Sequence, residues 1–120
     1  MKTLFQVVKN ASERVDEIED VDRPVGGRID FYGRTKYSVL ASALSEFGEL
    51  AEEINIDQRH SYKTQGKDGV IGEAIDTIAC LLDLIHVHDP ELTEHDIMTI
   101  AAEKCAKWVS KVAEDKGVKL

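Results

Sequence analysis

The chain is poor in the features that mark secreted, membrane-bound and nucleic-acid-binding proteins. Two cysteines in 120 residues cannot build a disulfide scaffold, and neither belongs to a CxxC pair. Cys80 and Cys105 fall inside apolar helical patterns and read as buried free thiols of a reducing compartment. No stretch approaches the roughly 20 apolar residues of a membrane span. The opening MKTLFQVVKNASERVDEIED meets charge too early to supply a signal-peptide core. A cytoplasmic protein is therefore expected. Positive charge is also scarce: 15 Lys and Arg stand against 23 Asp and Glu, a net charge of −8. That balance argues against nonspecific nucleic-acid binding, which depends on basic side chains that neutralise phosphates. It leaves room for a small polyphosphate, provided carboxylates first bind a divalent metal that reverses the local sign.

Strand patterns, internal repeats and low-complexity tracts are missing too, whereas helical periodicity appears four times. At 42% hydrophobic and 32% charged, the composition suits one soluble all-α domain over residues 1–120, a bundle of four main helices. Residues 1–34 form a helical arm and connection, and residues 35–116 hold the core helices. In the arm, Leu4, Val8, Ala11, Val15 and Ile18 make one narrow apolar seam. Pro24, Gly26, Gly27 and Gly33 then interrupt any helix, so residues 21–34 read as an ordered connection with a short extended piece. The second helix runs from about Thr35 to about Ile54, with Leu40, Ala43, Leu44, Phe47, Leu50, Ala51 and Ile54 as its core face. Residues 55–68 form a loop longer than a helix hairpin needs. A third helix covers residues 69–88, ended by Asp89-Pro90. Thr93 with Asp96 resembles a capping box for a fourth, which Gly117 stops near Lys116. The seam and the all-round apolar third helix exceed what four helices readily cover, so a homodimer or homotetramer is expected.

The third helix, GVIGEAIDTIACLLDLIHVH, bears only three acidic side chains, Glu73, Asp76 and Asp83, among its apolar ones, and no Lys or Arg. Glu73 and Asp76 project away from the aliphatic stripe of Ile71, Ala74, Ile75, Ile78, Leu82 and Ile85. Enclosed carboxylates need a partner, and a cation is the natural one. The second helix offers a matching i, i+3 pair, Glu46 and Glu49. If the two helices run antiparallel, four carboxylates converge and suit magnesium or manganese, with positions left for water and phosphate oxygens. The spacing alone is common here, as in Glu13 with Asp16 or Glu91 with Glu94. What distinguishes the chosen pairs is the uncharged third helix and a glycine at each, Gly48 and Gly72, read as sites of close helix approach.

The strings LSEFGELAEEI (Leu44 to Ile54) and GEAIDTIACLLDLI (Gly72 to Ile85) resemble the MazG-like all-α nucleoside triphosphate pyrophosphohydrolases, whose signature is ExxE, a loop and ExxD. The resemblance spans roughly residues 35–110. It implies a helical bundle completed by dimerisation, with Glu46, Glu49, Glu73 and Asp76 holding Mg2+ (Mn2+ as substitute) against the triphosphate. The implied reaction is hydrolysis of a nucleoside triphosphate to monophosphate and pyrophosphate, Glu46 or Glu49 taking the proton of the attacking water.

Other residues keep two readings. Lys104 and Lys107, with Lys111, either contact phosphates, as the resemblance implies, or form a solvated stripe. Trp108 is either a core or interface residue or a stacking platform for the base. Arg59, His60, Tyr62 and Lys63 either close over a nucleotide or are plain surface. Asp83 is a further ligand, half of a helix-to-helix salt bridge, or part of a water-filled bundle end. Asp83 and His86 have one carboxylate-histidine spacing of a di-iron bundle, which needs two. His88 and His95 read as helix-end residues. The alternative for the whole chain is a noncatalytic helical interaction protein or scaffold with structural acids.

Overall fold

The computed structural model of the protein describes residues 1–21 and 34–120. From residue 22 to residue 33, the expected connection lies outside the described residues. Those described form four helices and no strand: α1 Leu4–Val21, α2 Lys36–Asp57, α3 Gly69–His88 and α4 Glu94–Lys116. They divide into two compact units, Met1–Pro90 and Glu91–Leu120. No helix among them is long and apolar enough to cross a membrane.

Side-chain caps start three of the helices. Thr3 and Gln6 exchange backbone-to-side-chain bonds of 3.1 and 3.2 Å ahead of α1. Thr35 and Ser38 form a capping box on α2, and Thr93 with Asp96 forms the expected one on α4. Each satisfies amides that the first turn leaves without helical partners. The Asp96 carboxyl is held below its ordinary pKa, chiefly by the bond from the Thr93 backbone. Gly117 ends α4 in the left-handed region at φ 68°. The turn returns Val118 N–H to the Ala113 carbonyl at 2.8 Å, so that Val118 lies back along the helix.

In the first unit α2 and α3 pack against each other and α1 packs on α3. Lys36, at the start of α2, has its Nζ 3.3 Å from Nδ1 of His88 at the end of α3, which makes the pair antiparallel. The inward side of α2 carries Val39, Ala43 and Glu53, all buried, with half-buried Glu46 and Leu50. Leu40, Leu44, Phe47 and Ile54, expected in the core, are 40%, 64%, 55% and 44% exposed. Ala43 and Leu50 of the expected face do lie inward, and the inward face as a whole is turned from the expected one by somewhat less than one residue step of about 100°. On α3 the difference runs the same way: Ile71, Ile75 and Ile78 are exposed, while Thr77 is buried. In α1, Phe5, Val8 and Ser12 are buried, and Leu4, Val15 and Ile18 of the expected seam are exposed. Amphipathic periodicity marked the most apolar direction of each helix, and within one chain the helices meet along an adjacent, more polar one.

Arg34 ties α1 to α3. Its Nε donates to Asp16 at 2.8 Å, one terminal nitrogen donates to Asp83, and the other donates to the Ser12 carbonyl at 2.9 Å and the Ser12 hydroxyl. Burial works against the guanidinium charge, yet Asp16 and Asp83 together raise its pKa above the ordinary value. Nearby, buried His86 places Nε2 3.7 Å from Glu13.

Candidate metal centre

Antiparallel packing brings the middle of α2 opposite the first turns of α3. There Glu46, Glu49 and Glu73 place one carboxylate oxygen each within 4.8 Å of one another. A second trio, Asp68, Glu73 and Asp76, meets the same condition. Glu73 belongs to both, so two adjoining trios share it, with Glu46 and Glu49 in one and Asp76 and Asp68 in the other, in place of the single four-carboxylate convergence expected. All four acids singled out in the sequence fall in the group. Asp68 is the addition that sequence reasoning missed.

Burial is uneven across the group. Glu46 and Glu73 are half-buried, while Glu49, Asp68 and Asp76 are exposed. Oε2 of Glu46 and Oε2 of Glu73 are each buried with no hydrogen-bond partner. Both carboxyls have pKa values above the ordinary glutamate value. For Glu46 the largest cause is a hydrogen bond shared with Glu49, followed by desolvation and repulsion from Glu49, Asp76 and Glu73. For Glu73 desolvation comes first, then repulsion from Glu49 and Asp76. Like charges and lost water both disfavour ionisation. Such a group accepts either protons or a cation, and carboxylate oxygens are the donor type that a hard divalent ion takes. Cys80, half-buried on the same side of α3, has its thiol pKa raised by desolvation and then by Glu46, Asp83 and Asp76. It is held as the neutral thiol, a poor nucleophile.

The glycines act differently from expectation. A Cβ at Gly48 would meet nothing within 4 Å, so Gly48 marks no close approach in the chain. A Cβ at Gly72 would lie 2.1 Å from Cβ of Asp68. The close approach is therefore between the start of α3 and its own first turn, and it seats Asp68 beside Glu73.

Asp83 is the partner of Arg34, a salt bridge as one of its readings had it, made to a residue ahead of α2 that joins α1 to α3. Lys63 pairs with Glu52 at 3.2 Å, and Arg59, His60 and Tyr62 are exposed. In the second unit Lys104, Lys107 and Trp108 are exposed on α4. So is Cys105, which departs from the buried thiol expected there. Trp108, Val109, Val112, Ala113, Lys116 and Val118 line a shallow apolar cleft of ≈ 380 Å³, which the returning Val118 helps to form.

Comparisons with protein-family models, with curated proteins and with solved structures give no match for this chain.

Proposed function

We propose that the chain is a divalent-metal-dependent nucleoside triphosphate pyrophosphohydrolase, resembling the MazG-like enzymes in its ExxE and ExxD pairs. The observation that carries this reading is the convergence of Glu46, Glu49 and Glu73, with Asp76 and Asp68 beside them, around two buried carboxylate oxygens without partners. Glu46, Glu49, Glu73 and Asp76 would hold Mg2+, or Mn2+ in its place. When bound, the ion supplies charge neutralisation at the phosphates and a more acidic water. The protein's part is to fix its carboxylates on two packed helices, and to offer Glu46 or Glu49 as acceptor of a proton from the attacking water. Water oxygen then bonds to the α-phosphorus, the bond from that phosphorus to the bridging oxygen breaks, and pyrophosphate leaves. Phosphate contact by Lys104 and Lys107 and base stacking by Trp108, all exposed on the second unit, remain readings of the sequence.

Self-association belongs to the same proposal. The exposed rows on α2 (Leu40, Leu44, Phe47, Ile54) and on α3 (Ile71, Ile75, Ile78, Leu81) supply an apolar face for a second copy. The same face would serve a noncatalytic interaction protein, so the chemistry has to be tested directly. Hydrolysis in 18O-labelled water, with products read by 31P NMR, should place the label in the monophosphate and none in pyrophosphate. Label in orthophosphate, or no Mg2+-dependent product from folded protein, would reject the reaction.

A further inference from the structure

We propose that Glu53 is a positioning residue for the carboxylate centre: it latches the α2–α3 loop and thereby places Asp68 beside Glu73 and Asp76. The inference rests on the metal reading above. It begins from a buried contact that the ExxE and ExxD pairs do not include. Residues 58–68 are more than a hairpin needs, and the surplus folds back on the end of α2. Lys63 pairs with Glu52 at 3.2 Å, and Gln65 Nε2 donates to Asp57 Oδ1 at 3.5 Å. Both contacts are exposed and contribute little. Glu53 differs, being only 7% exposed. Its Oε1 accepts the Gly66 N–H at 2.7 Å, a short bond to a charged acceptor.

Gly66 is fitted to this contact. A Cβ there would stand 2.7 Å from Oε1 of Glu53, crowding the very acceptor of its own amide. Asp68 follows two residues later, within a reach of about 7 Å, so fixing Gly66 confines Asp68. Asp68 occupies the N-cap position of α3 but makes no side-chain cap bond. Its side chain lies instead where Gly72 has none, with a carboxylate oxygen within 4.8 Å of Glu73 and Asp76. Two glycines thus each admit one carboxylate, and the chain between them carries the buried anchor to the metal group.

The test is Mg2+ binding by calorimetry on the full chain, with magnesium chloride as the only ligand. Circular dichroism and amide exchange over residues 61–68 accompany it. Glu53→Ala should weaken Mg2+ binding about tenfold, the range for residues that orient a metal ligand, and should unprotect the Gly66 amide while helix content is kept. Glu53→Gln retains an oxygen acceptor and should stay within about threefold of wild type, rescuing both readouts. Asp68→Asn should match Glu53→Ala, and the double variant should lose no more than Asp68→Asn alone, because the two act as one unit. If Glu53→Ala does not fold, Gly66→Pro removes the donated N–H from the loop side and should show the same loss of Mg2+ affinity. Wild-type affinity in the folded latch variants, or losses that multiply in the double variant, would overturn the positioning role alone. Wild-type protein that takes up no Mg2+ would overturn the metal reading and the positioning role with it, even if Gly66 protection depends on Glu53.

Discussion

Glu46 and Glu73 are forced together with other acids, and that leaves a signature in pH. Both pKa values are raised, so the folded chain holds these protons more tightly than the unfolded one. Their contribution to metal-free stability is greatest below the unfolded glutamate value of about 4.3 and declines as pH rises through the raised folded values. On the metal reading proposed above, Mg2+ would compete with the same protons, and its affinity should rise over that window. Melting of metal-free wild type against Glu73→Gln should show the wild type losing ground as pH increases from about 4.3. A constant difference between the two would contradict the repulsion described. The four acids were legible in the sequence because a carboxylate pair in an uncharged helix stands out at i, i+3. Asp68 was not, since its approach depends on the missing side chain of Gly72 and on a loop path that no periodicity encodes. Glu53 is one acid among several in α2, and the partner that its carboxylate meets, Gly66, lies thirteen positions along the chain.

Helix identity and ends were readable because they are local. α3 spans the expected residues, and the Thr93-Asp96 box and the Gly117 stop act on backbone within one turn. The faces were less readable. Moments count apolar side chains, whereas Ser12 of α1, Glu53 of α2, and Thr77 and His86 of α3 are all buried. Arg34 shows why the polar choice holds, since it joins Ser12 and Asp16 of α1 to Asp83 of α3. Its side chain and that of Asp83 are 16% and 18% exposed, so removing the cation strands a largely desolvated carboxylate. Arg34→Met should cost about 3 kcal/mol in urea unfolding and speed amide exchange in α1 before α2. Unfolding unchanged within about 0.5 kcal/mol would reduce the clamp to a surface contact.

The described part of the protein has a thin interior: among the described residues none is buried to below 2% of its surface. Its exposed rows on α2 and α3 are the most apolar parts of those helices, which is why they were expected in a core. Phe47→Asp and Ile75→Asp should each convert the associated species to monomer in sedimentation velocity, since a buried unpaired charge is costly at an interface. Wild type that sediments as monomer at every concentration would contradict self-association. The proposed chemistry is tested most directly by pyrophosphate release from a panel of canonical and modified ribo- and deoxyribonucleoside triphosphates, with Mg2+ and with chelator, for wild type and Glu49→Gln. Release that requires Mg2+ and falls about 10²-fold or more in Glu49→Gln, with helix content unchanged, is the expected result. Equal release by wild type and variant, or silence from folded wild type across the panel with Mg2+ present, would contradict the account.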